Sequence, residues 1–139
     1  ALTVQNTKGV TAVHAVAPDV IAAQIEAVMS DIGADAIKIG MIGDVETAEI
    51  IEVALKKYSG VPVVLDPVLI ATSGDALAKD GVAGFIRDRL ALLAAVITPN
   101  IDEACALTGM TIKDRDAMIA VGEALVARGA GAVLVKGGQ

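Results

Sequence analysis

Four apolar runs in this chain each end abruptly on residues able to do chemistry. Residues 63–68 read VVLDPV and bring Asp66 one position past a strand-like stretch, with Pro67 behind it. A carboxylate so placed can hold a magnesium ion through water or accept a proton, and the proline fixes the backbone direction around it. The competing reading is that Asp66-Pro67 only begins a turn. Residues 95–98 lead to Asn100 and, three positions on, Glu103. At a helix start an Asn amide and a Glu carboxylate at that spacing can position a hydrated magnesium. The same pair also makes a capping box worth about 1 kcal/mol with no chemistry at all.

Lys136 ends the run 132–135 and is followed by Gly137 and Gly138. A lysine beside backbone amides that glycine leaves free to turn toward an anion suits phosphate; a solvated lysine before a turn is the ordinary alternative. Gly40-Met41 closes the run 36–41, and Gln5-Asn6 follows the first strand-like residues. Both read as pocket walls: the Met41 thioether can lie against a small ring, and the Gln5 amide can pair with ring or amino groups. His14 and Cys105 receive no role, since a lone histidine in an extended stretch and a lone cysteine in an apolar helix are most often structural. No Gly-x-x-x-x-Gly-Lys or Gly-x-Gly-x-x-Gly loop occurs, so neither a P-loop enzyme nor a simple dinucleotide-binding unit is supported.

The elements that must position these residues follow from periodicity. Residues 2–4 and 10–16 read as extended segments around a polar turn, and Pro18-Asp19 opens a helix whose Ile21, Ile25, Val28, Met29 and Ile32 recur at helical spacing up to Gly33. A strand over 36–41 carries Lys38, and a helix spans 45–58. The strand over 61–65 leads into Asp66 and the polar loop 71–75. Residues 76–93 read as one helix, 95–98 as a short strand, 100–108 and 114–128 as helices, and 132–135 as a last strand. Strand and helix alternate almost throughout. This rhythm predicts an α/β fold, three-layered α/β/α, with a mostly parallel sheet joined by right-handed crossovers. Ligands of such sheets bind outside the carboxyl ends of the strands, where all four interrupted runs would converge.

Composition narrows the function classes. At 139 residues the chain has the size of one domain, 1–139, and with 55% apolar residues it is far from a disordered segment. Its net charge of −6, one Phe, one Tyr and no Trp supply neither the basic face nor the stacking rings of a nucleic-acid binder. No run is long and apolar enough for a membrane span, and no basic-then-apolar leader opens the chain, so a cytoplasmic setting is the expectation. A single cysteine makes neither an internal disulfide nor a zinc site. The chain opens on Ala1 inside a strand-like stretch and stops at Gln139 just after another. The expectation is therefore the middle of a larger domain.

Taken together, ALTVQNT at 1–7, SDIGADAIKIGM at 30–41, VVLDPV at 63–68, ATSGD at 71–75, ITPNIDEA at 97–104 and VLVKGG at 133–138 resemble the hydroxymethylpyrimidine/phosphomethylpyrimidine kinases of thiamine biosynthesis. These belong to the ribokinase superfamily. The resemblance covers the whole chain in order. It implies a ribokinase-like fold, present in part, and ATP-dependent phosphorylation of 4-amino-5-hydroxymethyl-2-methylpyrimidine and then of its monophosphate. It also implies ATP and Mg2+ as cofactors, a small-molecule pyrimidine as partner, and a homodimer. By position it places Gln5, Met41 and Val68 against the pyrimidine. Asp66, Asn100 and Lys136 fall on the ATP phosphates, and Glu103 with Asp66 on magnesium. The family's N-terminal Ser-Gly-Gly-Ala-Gly turn and C-terminal Gly-Thr-Gly-Cys segment have no counterpart in these residues. The expectation is that no catalytic residue lies in this chain and that it does not turn over usefully by itself. A pyridoxal kinase-like enzyme and a noncatalytic binding fragment of the same fold are the alternatives, with Gln5 and the KIGM run favouring the pyrimidine enzyme.

Overall fold

The structure, a computed structural model, describes residues 1–69 and 77–137. Strand β1 (Leu2–Asn6) and β2 (Gly9–His14) form an antiparallel hairpin that is a sheet of its own. Its turn is held by the Asn6 side chain, which accepts from the Lys8 amide at 2.8 Å, as a short amide side chain does when it closes a turn on its own backbone. The ladder shifts between Val4 and Gln5, so that Gln5 stands opposite Val10.

Helix α1 (Pro18–Asp31) starts as its Pro and Asp19 predict. Gly33, at φ +67°, takes the left-handed turn beyond its end. Of its five apolar positions, Ile21, Ile25 and Met29 are half-buried, whereas Val28 is 49% and Ile32 80% exposed. The sequence pattern gives only their helical spacing. Helix α1 packs on helix α2 (Val45–Lys57), and strand β3 (Ile37–Ile39) has a neighbour on one side only among the described residues, so part of the apolar surface of α1 stays uncovered.

The main sheet is parallel with order β3-β4-β5, where β4 is Val63–Leu65 and β5 is Val96–Ile97. Helix α2 (Val45–Lys57) makes the first crossover, capped by Asp44, whose carboxylate accepts from the Thr47 amide at 3.0 Å. The register pairs Ile37 with Val63, Lys38 with Val64 and Ile39 with Leu65, then Val64 with Val96 and Leu65 with Ile97. Alternation along each strand therefore sends Ile39, Leu65 and Ile97 into one buried layer and puts Lys38, Val64 and Val96 on the opposite face. Leu65 and Ile97 are fully buried, amid a core that includes Val82, Ile86, Leu90 and Leu107.

The second crossover departs from the single helix read over 76–93. Its first position and the loop 71–75 lie outside the described residues. From Gly81 onward the chain forms α3 (Val82–Phe85), a π-helical turn (Ile86–Leu90) and a 3-10 turn (Ala91–Leu93). Val82, Phe85, Ile86, Leu90 and Ala91 are all buried. On a straight α-helix Ala91 would lie on the side opposite Val82 at 100° per residue. The wide turn brings both to the core.

Helix α4 (Ile101–Thr108) ends on Gly109 at φ +73°, and α5 (Arg115–Ala127) is capped by Asp114. The run 132–135 returns beside β5, where Ile97 bridges Val133 and Asn100 bridges Lys136, both in parallel sense. It makes no continuous ladder, because Pro99 lies between the two bridges and has no N–H to donate. Its carbonyl still accepts from the Lys136 amide at 2.7 Å. A Cβ on Gly131 would stand 2.7 Å from the Ala95 carbonyl oxygen, so only glycine lets the run approach β5 this closely.

Candidate functional site at the carboxyl edge of the sheet

Asp66 stands at the centre of the site because β4 is the middle strand. Its amide donates to the Ile39 carbonyl at 2.8 Å, which extends the β3 pairing by one residue. Pro67 is buried and turns the chain, and the Val68 amide folds back onto the Asp66 carbonyl at 2.8 Å. The carboxylate is thereby aimed along the sheet edge. Its Oδ1 accepts from Thr98 Oγ1 at 3.1 Å and from Lys136 Nζ at 2.7 Å. Its Oδ2 lies 3.6 Å from Lys38 Nζ. Burial alone would raise the Asp66 carboxyl. The hydrogen bonds from Lys136 and Thr98, with the charges of Lys136 and Lys38, outweigh it and hold the group below the usual carboxylate value.

Asn100 and Glu103 form the capping box that their spacing predicts. The Asn100 side chain accepts from the Glu103 amide, and the Glu103 carboxylate accepts from the Asn100 amide, each at 2.8 Å. Glu103 is also 3% exposed, unusual for a capping carboxylate. Burial raises its pKa, and the Asp66 charge acts in the same direction. The Asn100 and Leu69 backbones and the Lys136 charge pull it down less strongly. One carboxylate oxygen is thus engaged at the helix start, inside the electrostatic reach of Asp66 and Lys136.

The raised Glu103 pKa means that the folded protein holds this proton more tightly than the unfolded chain does. Its contribution to stability is present at acid pH and is lost as pH rises through the raised value. Glu103→Gln keeps the shape and carries no charge. In magnesium-free buffer, its stability relative to the parent should therefore improve from about pH 4 to about pH 7. Urea denaturation across that range checks this, and a difference that is flat or opposite in slope contradicts it.

The structure thus brings together Asp66, Asn100, Glu103 and Lys136 from three separate runs. Sequence reasoning missed Thr98 and gave no role to Lys38. Both share the face of Asp66 by simple alternation from Val96 and Val64, so the strand register was the signal that could have found them. Of the remaining candidates, Val68 is half-buried just beyond Asp66, and Gln5 is exposed on the hairpin. Met41 lines an apolar groove of about 500 Å³ between α1, β3 and α2, together with Ile21, Ile25, Ile39 and Gly40. Gly138 lies outside the described residues.

Magnesium takes one or two carboxylates and completes its shell with water and phosphate oxygens. Asp66 and Glu103 fit that requirement. Among the described residues no group of three or more His, Cys, Asp or Glu is placed to hold a metal ion. No helix of the described residues is long and apolar enough to cross a membrane.

Comparison with known proteins agrees with this architecture. The hydroxymethylpyrimidine/phosphomethylpyrimidine kinase of Rhizobium meliloti (strain 1021) is 48% identical over 141 residues, which cover 100% of this chain and 52% of that protein. The chain thus spans about half the length of such curated relatives. Among solved structures, the phosphomethylpyrimidine kinase of Clostridium difficile 630 superposes with a TM-score of 0.90 at 43% identity, over 98% of this chain and 60% of that one. An ADP complex of Bacillus subtilis pyridoxal kinase gives 0.84 at 34% identity, over 98% and 50%. The fold is accordingly the ribokinase-like α/β arrangement, present in part. The family model described as phosphomethylpyrimidine kinase matches residues 1–139, from the first to the last of the chain, and the protein belongs to that family.

Proposed function

We propose that the protein is an ATP-dependent kinase of thiamine biosynthesis. It phosphorylates the hydroxymethyl group of 4-amino-5-hydroxymethyl-2-methylpyrimidine and then the resulting monophosphate. The observation that carries this reading is the meeting of Asp66, Lys136, Thr98 and the Asn100–Glu103 cap at the carboxyl edge of one parallel sheet, in a chain of this family. Residues 1–139 act as one α/β unit in this reading, in a cytoplasmic setting.

Phosphoryl transfer asks little covalent chemistry of a protein and depends on positioning and charge. Lys136 supplies positive charge to the ATP phosphates, and ionised Asp66 fixes where that ammonium stands. Asn100 holds the start of α4 in place, so that Glu103 and Asp66 can address the hydration shell of a magnesium ion. When bound, the ion neutralises phosphate charge. Met41, Val68 and Gln5 form the pyrimidine side.

The test is to assay the full-length gene product with ATP and magnesium, using the hydroxymethylpyrimidine in one arm and pyridoxal in the other. The expected result is a clearly higher kcat/KM for the pyrimidine. Preference for pyridoxal overturns the substrate, and turnover of neither leaves a noncatalytic binding protein of this fold.

A further inference from the structure

Lys38 is the central residue of β3, flanked by Ile37 and Ile39, which turn to the other face. Lysine is depleted in strands and adds nothing to that buried layer. Its Nζ reaches forward to the carboxyl edge, 3.6 Å from Asp66 Oδ2, while Lys136 Nζ holds Oδ1 at 2.7 Å. Two ammonium groups therefore flank one carboxylate, one on each oxygen. They are not equivalent. The Lys136 contact is a short hydrogen bond, whereas 3.6 Å is beyond hydrogen-bonding distance. The Lys38 side chain is also 68% exposed, so an ion pair of this kind adds little to stability. Its ammonium lies over the Gly40 backbone, 3.9 Å from where a Cβ would stand, next to the Met41 groove. The positive charge sits between the apolar wall formed around Met41 and the Asp66–Lys136 pair.

We propose that Lys38 is a specificity-determining residue that binds the phosphate of a phosphorylated acceptor, and so favours the phosphomonoester over the free alcohol as second substrate. This rests on the kinase reading above. In the second transfer, an oxygen of the dianionic acceptor phosphate forms a bond to the terminal phosphorus of ATP. The bond from that phosphorus to the bridging oxygen breaks, and ADP leaves with the electron pair. No proton has to be removed from the acceptor. What the step does require is that two polyanions approach each other, and a cation on the acceptor side lowers that repulsion. Lys136 serves the donor side and Lys38 the acceptor side, with Asp66 spacing them. The alcohol acceptor carries no charge and gains little from Lys38.

The experiment compares Lys38→Met and Lys38→Arg with the parent protein at full length. Kinetic constants are measured for the hydroxymethyl and phosphomethyl acceptors, and calorimetry follows binding of the monophosphate alone. Losing one charge-assisted contact should raise KM for the phosphomethyl acceptor and weaken monophosphate binding roughly tenfold in Lys38→Met, with a much smaller change for the alcohol. Lys38→Arg should recover part of the loss. A parent that phosphorylates both acceptors, while Lys38→Met shifts the two KM values alike or not at all, overturns this inference alone. A parent that phosphorylates neither overturns the kinase reading and this inference with it.

Discussion

Leu65→Ala is expected to destabilise the protein by roughly 3 kcal/mol, within the range of 2–5 for large-to-small changes in a packed core. Leu65 is fully buried on the middle strand, with Ile39 and Ile97 beside it in register. Strands on both sides limit how far the structure can collapse into the gap, so transfer and cavity costs both apply. A domain of this size has about 5–15 kcal/mol in all, and the melting temperature should fall by roughly 10 °C. Val64→Ala, on the half-buried opposite face, should cost far less. Thermal and urea unfolding of the two variants check this. A loss below about 1 kcal/mol for Leu65→Ala would mean that the core is not centred on β4.

The same residues explain how much of the fold could be read beforehand. Short β-branched and aliphatic runs such as Val63–Leu65 are legible because one face of the strand is buried and the other half-buried, which favours apolar residues at successive positions. The helix starts at Pro18, Asp44, Asn100 and Asp114 are legible because capping is local chemistry. What stayed hidden depends on partners distant in sequence. The π-helical turn at Ile86–Leu90 follows from where the core lies, not from local propensity. The last run fails to form a ladder because of Pro99, more than thirty positions earlier. The exposure of Val28 and Ile32 likewise reflects what covers β3, which no helical periodicity encodes.

The site divides in the same way. Asp66, Asn100, Glu103 and Lys136 could be picked out because each interrupts a pattern: a charge or amide at the end of an apolar run. That they gather at one edge of the sheet is tertiary information, carried by the parallel order β3-β4-β5 and by the bridge from Asn100 to Lys136. Thr98 was invisible as chemistry because a threonine next to a strand is unremarkable by composition. Only the register turns it toward Asp66. The capping reading of Asn100–Glu103 was correct as local structure, and burial of the Glu103 carboxylate is the added fact that sets it apart from an ordinary cap.

Asp66→Asn should separate function from folding more sharply than any other change at the site. The amide keeps the shape of the carboxylate and can still accept from Thr98 Oγ1. The two lysines it leaves behind are 68% and 45% exposed, so water can hydrate them. No buried charge is stranded, and the stability cost should stay within about 1 kcal/mol. Turnover should fall far more, by roughly 100- to 1,000-fold in kcat, the scale for removing one preorganised electrostatic group. Without the negative charge, the Lys136 ammonium loses its fixed position and Lys38 loses its spacer. In the proposed reaction, one of the two carboxylates that address the magnesium shell is lost as well, leaving Glu103. If Asp66 and Lys136 act as one unit, Asp66→Asn combined with Lys136→Met should be little worse than the weaker of the two single variants. Steady-state kinetics of the full-length protein at saturating ATP and magnesium, read beside the melting temperature of each variant, decide it. A kcat within about threefold of the parent for Asp66→Asn, with the fold intact, would reduce Asp66-Pro67 to the start of a turn.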